Sequence, residues 1–132
     1  MSSLYVRQKV EGWLNDAAMT TPFYPTINEE QDPTDPIWVT ADFDSAYREV
    51  LAFCDGEVKE VGDVELVYQA PPGVGYTALL TAVEADIKTL MAQRDPLGKL
   101  ILINRSAPFE YSNGDADLNY EVAITVEYNY YE

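Results

Sequence analysis

The acidic side chains are the first place to look for chemistry, because the chain holds 23 Asp and Glu residues and no histidine. Without histidine there is no imidazole general base and no Ser-His or Cys-His nucleophile pair. The commonest zinc ligand is also missing. Carboxylate pairs remain. Asp42 and Asp44 share a strand face by their spacing, as do Glu121 and Glu127. General acid–base work by such a pair needs one member with a raised pKa, which only burial or a like charge can supply. The run Asn113-Gly114-Asp115-Ala116-Asp117 places oxygen ligands at alternate positions, as calcium loops do. No bidentate acid follows at the required spacing, so it reads as a hairpin tip. Gly73-Val74-Gly75 stands where nucleotide-binding loops stand, but neither a third glycine nor a Lys-Ser/Thr pair follows. Cys54 is the single cysteine; it excludes an intramolecular disulfide and has no base to activate it. The ten tyrosines could stack on bases, but the basic residues that such a surface needs are not beside them. No catalytic, cofactor-binding or metal-binding residue is assigned.

Charge is the strongest compositional fact. Eight Lys and Arg against 23 acids give a formal net charge of −15. That excludes an ordinary nucleic-acid-binding surface and implies self-repulsion in any assembly. At 132 residues the expectation is a single domain, residues 1–132, with a core large enough to need no staple. The start, MSSLYVRQKVEGWL, reads as neither a secretion signal nor a membrane span, and predicts a soluble cytoplasmic protein.

The elements that would hold these residues can be read from periodicity. Ser2 or Ser3 caps a first helix running to about Thr20, with Val6, Val10, Trp13, Leu14 and Ala17 on its apolar face. Residues 21–36 form a proline-broken, acidic connector. Alternation predicts strands at 37–44 and 57–70, and a further one at 47–53. A turn at Asp55-Gly56 and a bulge or bend at Gly62 are expected. A second helix spans about Tyr76 to Gln93 with a cap at Thr77; Leu79, Leu80, Val83, Ile87, Leu90 and Met91 make its apolar side. Leu100–Asn104 is a strand that continues raggedly past Pro108. A turn at 112–115 leads to the last strand, in which Tyr120, Val122, Ile124, Val126, Tyr128 and Tyr130 alternate perfectly with Glu121 to Tyr131. The expected fold class is α/β (α+β), a mainly antiparallel sheet packed by two helices in the order α-β-β-β-α-β-β.

This series resembles the tail-terminator (tail-completion) family of long-tailed phages. The resemblance rests on the amphipathic first helix and the proline-rich loop into Pro36-Ile37-Trp38-Val39-Thr40. It continues through Gly62 to Pro71 and past Gly73 and Gly75 into a helix, and ends on the alternating strand with Val126-Glu127-Tyr128. It implies a structural virion protein without catalytic residues or cofactor. Six copies would form a ring that caps the tail tube, ends its polymerisation and meets the head-completion or connector protein, while DNA passes without specific binding. The implied place is the head-proximal end of the tail, after assembly in the host cytoplasm, with no membrane partner. Glu29, Glu30, Asp32 and Asp35 in the connector, and Asp55 and Glu57 at the turn, are the expected interface residues. A head–tail joining protein and an acidic DNA mimic are the alternatives.

Overall fold

The last strand, β5 (Tyr120–Tyr131), is the spine of a five-stranded antiparallel sheet. The computed structural model describes residues 2–16, 18–23, 37–50, 58–71, 75–112 and 120–132. Along one edge β5 pairs with β2 (Val58–Ala70), which in turn pairs with β1 (Trp38–Val50). Along the other edge lie β3 (Leu100–Arg105) and then β4 (Phe109–Ser112). Helices α1 (Leu4–Leu14) and α2 (Tyr76–Met91) complete the order α1-β1-β2-α2-β3-β4-β5. The antiparallel class, the two helices and the number of strands agree with the sequence pattern, but two strands precede α2 and three follow it, where three and two were expected.

Boundaries differ in instructive ways. The segments expected as separate strands at 37–44 and 47–53 run together as β1, through an irregularity between Asp42 and Ser45. The stretch beyond Pro108 is a strand of its own, because proline cannot donate to a ladder and the chain re-enters the sheet at Phe109. β2 passes Gly62 without a register shift; its partner β1 takes the irregularity instead. The expected turns at Asp55-Gly56 and at 112–115 fall wholly or mostly outside the described residues.

α1 is capped by Ser3, whose Oγ accepts from the Val6 N–H at 3.5 Å. It stops at Leu14 rather than Thr20. The Asp16 carboxylate accepts from the Ala18 N–H at 2.9 Å, and this local bond competes with further helix. Gly75, whose φ of 83° only glycine adopts easily, is the N-cap of α2, and no side-chain cap, at Thr77 or elsewhere, is used. It ends at Met91, where Arg94 donates to the carbonyls of Met91 and Gln93.

Both helices lie on one face of the sheet. Val6, Val10 and Leu14 of α1, and Leu79, Val83, Ile87 and Leu90 of α2, meet Val39, Phe43, Val64, Leu66, Tyr68, Val122, Ile124, Val126 and Tyr128 in one buried cluster. Alternation thus delivers the expected apolar face of β5. The opposite face carries the carboxylates of Asp42, Asp63, Glu65, Glu121 and Glu127, placed by the same parity.

Candidate functional site

Among the described residues three carboxylates are buried, and none was singled out by type and spacing. Glu60 lies on the helix side of β2, in phase with Val64, Leu66 and Tyr68. It accepts from the Ser3 N–H at 3.1 and 3.2 Å and from the Tyr128 hydroxyl at 2.8 Å. Tyr128 shares a further bond of 2.6 Å with the Ser2 hydroxyl. Burial, with the Glu60 carboxylate beside it, pushes the Tyr128 phenol up.

Asp86 sits on the apolar face of α2, seven residues after Leu79, and has no solvent exposure. Its Oδ1 accepts from the N–H and the hydroxyl of Thr20 at 2.8 and 2.7 Å, and its Oδ2 from the Tyr68 hydroxyl at 3.2 Å. This single side chain ties residues 18–23 and β2 to α2. Burial, then the charge and hydrogen bond of Asp86, raise the Tyr68 phenol.

Asp95 closes the loop after α2. Oδ2 accepts from the Tyr5 hydroxyl at 2.7 Å and from the backbone N–H of Lys99 and Leu100 at 3.2 and 3.1 Å. Oδ1 accepts from the Leu97 N–H at 3.1 Å and faces Lys9 Nζ at 3.6 Å. Burial alone would raise this carboxyl. The Tyr5 hydroxyl, the Leu97 and Leu100 N–H groups and Lys9 outweigh it and bring it down to about 2. Tyr5 moves the other way, up to about 12, chiefly through its bond to Asp95. Its ring stacks on Tyr130, with centroids 4.9 Å apart.

Glu60 and Asp86 could have been read as in phase with buried apolar residues, at period 2 and period 3.6 respectively. Asp95 could not, because nothing in the Asp-Pro-Leu-Gly turn reports that α1 folds over it. All three carboxylates are engaged by donors that fix the termini of elements, which is positioning chemistry.

The carboxylates singled out from the sequence lie elsewhere. Asp42 stands directly across from Glu65, and Glu127 from Asp63; Glu121 faces Gln69. Partial burial raises the Glu121 carboxyl. Glu29, Glu30, Asp32, Asp35, Asp55 and Glu57 fall outside the described residues, as do Cys54, Gly73, Val74 and 113–117. Among the described residues no three His, Cys, Asp or Glu side chains gather as metal ligands. No described helix is long and apolar enough to cross a membrane.

One of the shallow concavities among the described residues is an apolar groove of about 200 Å³ lined by Tyr76, Leu80, Pro108, Phe109 and Val122. More distinctive is the outer edge of β3, which has no second strand beside it among the described residues, and on which Ile101 and Ile103 are 48 % and 51 % exposed. Across the sheet, at the β1 edge, Tyr47 is 58 % exposed. No protein-family model and no curated protein matches this chain.

Proposed function

We propose that this chain is a structural tail protein of a long-tailed phage, one that closes into a ring on the end of the tail tube. There it ends polymerisation and meets the head connector. The observation that carries the reading is the sequence resemblance to tail terminators, which spans most of the chain. The sheet face opposite α1 and α2 supports it. Asp42, Asp63, Glu65, Glu121 and Glu127 lie along it, so a ring with that face turned inward would repel DNA passing through rather than hold it.

The same rows of carboxylates favour a second reading, an acidic mimic of DNA that occupies a basic cleft. Stoichiometry separates the two, because a mimic acts as a monomer or dimer and a terminator as a ring.

The test is polymerisation of purified tail-tube protein with this chain added below stoichiometry. Capping predicts shorter tubes bearing a ring at one end in negative stain. Tubes that grow unchanged at saturating concentration would overturn the reading. Binding to head connectors alone would point to a joining protein.

A further inference from the structure

The sheet ends on β1 at one side and on β3 at the other. Among the described residues β3 has β5 as its only strand partner. β1 has β2, and near its start a short parallel bridge from Phe23 to Val39. The Ser2 N–H also takes the Phe43 carbonyl at 2.8 Å. Past Phe43 the outer edge of β1 has no further strand beside it among the described residues. Exposed edges are commonly guarded by lysine, proline or a covering loop. β3 carries no charge from Leu100 to Asn104, in a chain with 31 charged residues, and it exposes Ile101 and Ile103.

We infer that β3 of one copy adds to β1 of the next copy, head to tail, extending the antiparallel sheet from subunit to subunit. This deepens the ring reading and rests on it for the number of copies. Strand direction comes first. The path β1-β2-β5-β3 is antiparallel at every step, so its two edge strands run in opposite directions. A neighbour placed in the same orientation therefore meets β3 with an antiparallel β1.

The ends of each cross-strand row also match. Glu49 pairs with Lys59 and Lys59 with Tyr131, whose N–H bonds the Lys99 carbonyl at 2.8 Å. One row therefore begins at Glu49 and ends at Lys99. The row from Tyr47 through Val61 and Asn129 ends at Ile101, and the row from Ala46 through Gly62 and Tyr128 ends at Leu102. Continuing the rows between copies sets Lys99 against Glu49 and Ile101 against Tyr47.

The backbone agrees. Residues 99 and 101 direct their main-chain groups at β5, so the alternation turns those of Leu100 and Leu102 outward, toward Arg48 and Ala46 of the neighbour. A two-fold pairing of β3 with β3 centred on Leu102 would instead bring Lys99 beside Arg105, like charge to like charge. Irregularities beyond Leu102 and before Ser45 limit the new ladder to about four rows. Each contact is then weak alone, and a closed ring that leaves no edge unpaired is favoured over open pairs.

The experiment uses the full chain with Cys54→Ser, Tyr47→Cys and Ile101→Cys, oxidised and run without reductant. Opposed residues at a non-hydrogen-bonded site have Cα atoms about 4.5 Å apart, within disulfide reach. The expected result is a ladder of covalent oligomers ending at one closed species, with nothing above dimer from either single cysteine. No ladder, or an Ile101→Cys single variant that dimerises as efficiently as the pair cross-links, overturns the inference.

A charge swap supplies a second measurement. Glu49→Lys and Lys99→Glu should each weaken self-association, read by sedimentation, by about three- to fivefold. The double swap should restore it while the net charge stays at −15. Two singles and a double that all match the unaltered chain count against the pairing. A ladder with no capping of tail tubes would refute the terminator reading and leave this interface standing; capping without a ladder would do the reverse.

Discussion

Replacing Asp86 with Ala puts the buried polar network to a quantitative test. In the intact chain Asp86 accepts two bonds from Thr20 and one from Tyr68, with no exposure to solvent. Thr20 is exposed, so its donors can turn to water, and their loss costs about 1 kcal/mol together. Tyr68 is only 1 % exposed, and its hydroxyl would be stranded in the core for about 1–3 kcal/mol more. Relief from burying a charge offsets part of this. The expected loss is about 3 kcal/mol, or roughly 10 °C in Tm for a chain of this length.

Tyr68→Phe alone should cost about 1–2 kcal/mol, because the carboxylate keeps both Thr20 bonds. The double variant should cost no more than Asp86→Ala alone, since no hydroxyl is left stranded. The measurement is urea unfolding of all four proteins, with midpoints compared at constant slope. Single effects that add to within about 0.5 kcal/mol would refute the coupling between Asp86 and Tyr68.

Other expectations follow from the same geometry. The Asp95 carboxyl is held at about 2, below the ordinary value of about 3.9. Its contribution is therefore complete above about pH 5 and lost as pH falls through about 2, amounting to at most about 2.6 kcal/mol. Asp95→Asn should remove that part of the acid sensitivity in a pH series of urea midpoints, and an unchanged acid limb would contradict it. Gly75→Ala forces a side chain into a backbone with φ of 83° and should cost about 1 kcal/mol, read from thermal melts. Glu127→Lys turns the like-charged pair with Asp63 into an opposite one and should raise stability by about 0.5–1 kcal/mol. Ile124→Asp places a charge where exposure is zero and should abolish the cooperative transition; a folded variant would undo the assignment of the β5 faces.

Periodicity carried β5 and both helices, because each buries one continuous face against one core. It failed where a local bond outranks pattern. The helix pattern runs on through Ala17, yet the Asp16 side chain ends α1 by bonding the Ala18 N–H. Leu80 looked like core from its spacing, but it is 41 % exposed beside the groove, and Asp86 takes a place on the buried face. The period of 3.6 places Asp86 on that face, but what satisfies it there comes from residues 18 and 66 positions away, which no local pattern reports. The interface was the least legible part. The expected acids lie in the connector and turn, whereas the exposed edge at β3 is revealed by strand order, which no local pattern encodes.

Charge decides how such an edge can be used. Each copy carries −15, so two copies approaching repel one another over about 10 Å at 0.1 M salt and about 3 Å at 1 M. The Glu49–Lys99 contact proposed between copies is also screened, but it is one surface pair, worth less than about 1 kcal/mol. Repulsion between whole subunits involves every exposed carboxylate, so its relief dominates. Self-association should therefore strengthen as salt rises from 20 mM to 500 mM, the opposite of an interface held by ion pairs. Sedimentation across that range reads the sign directly. Weakening with salt would mean that specific charge pairs outweigh the repulsion between whole subunits, and would refute the dominance of that repulsion.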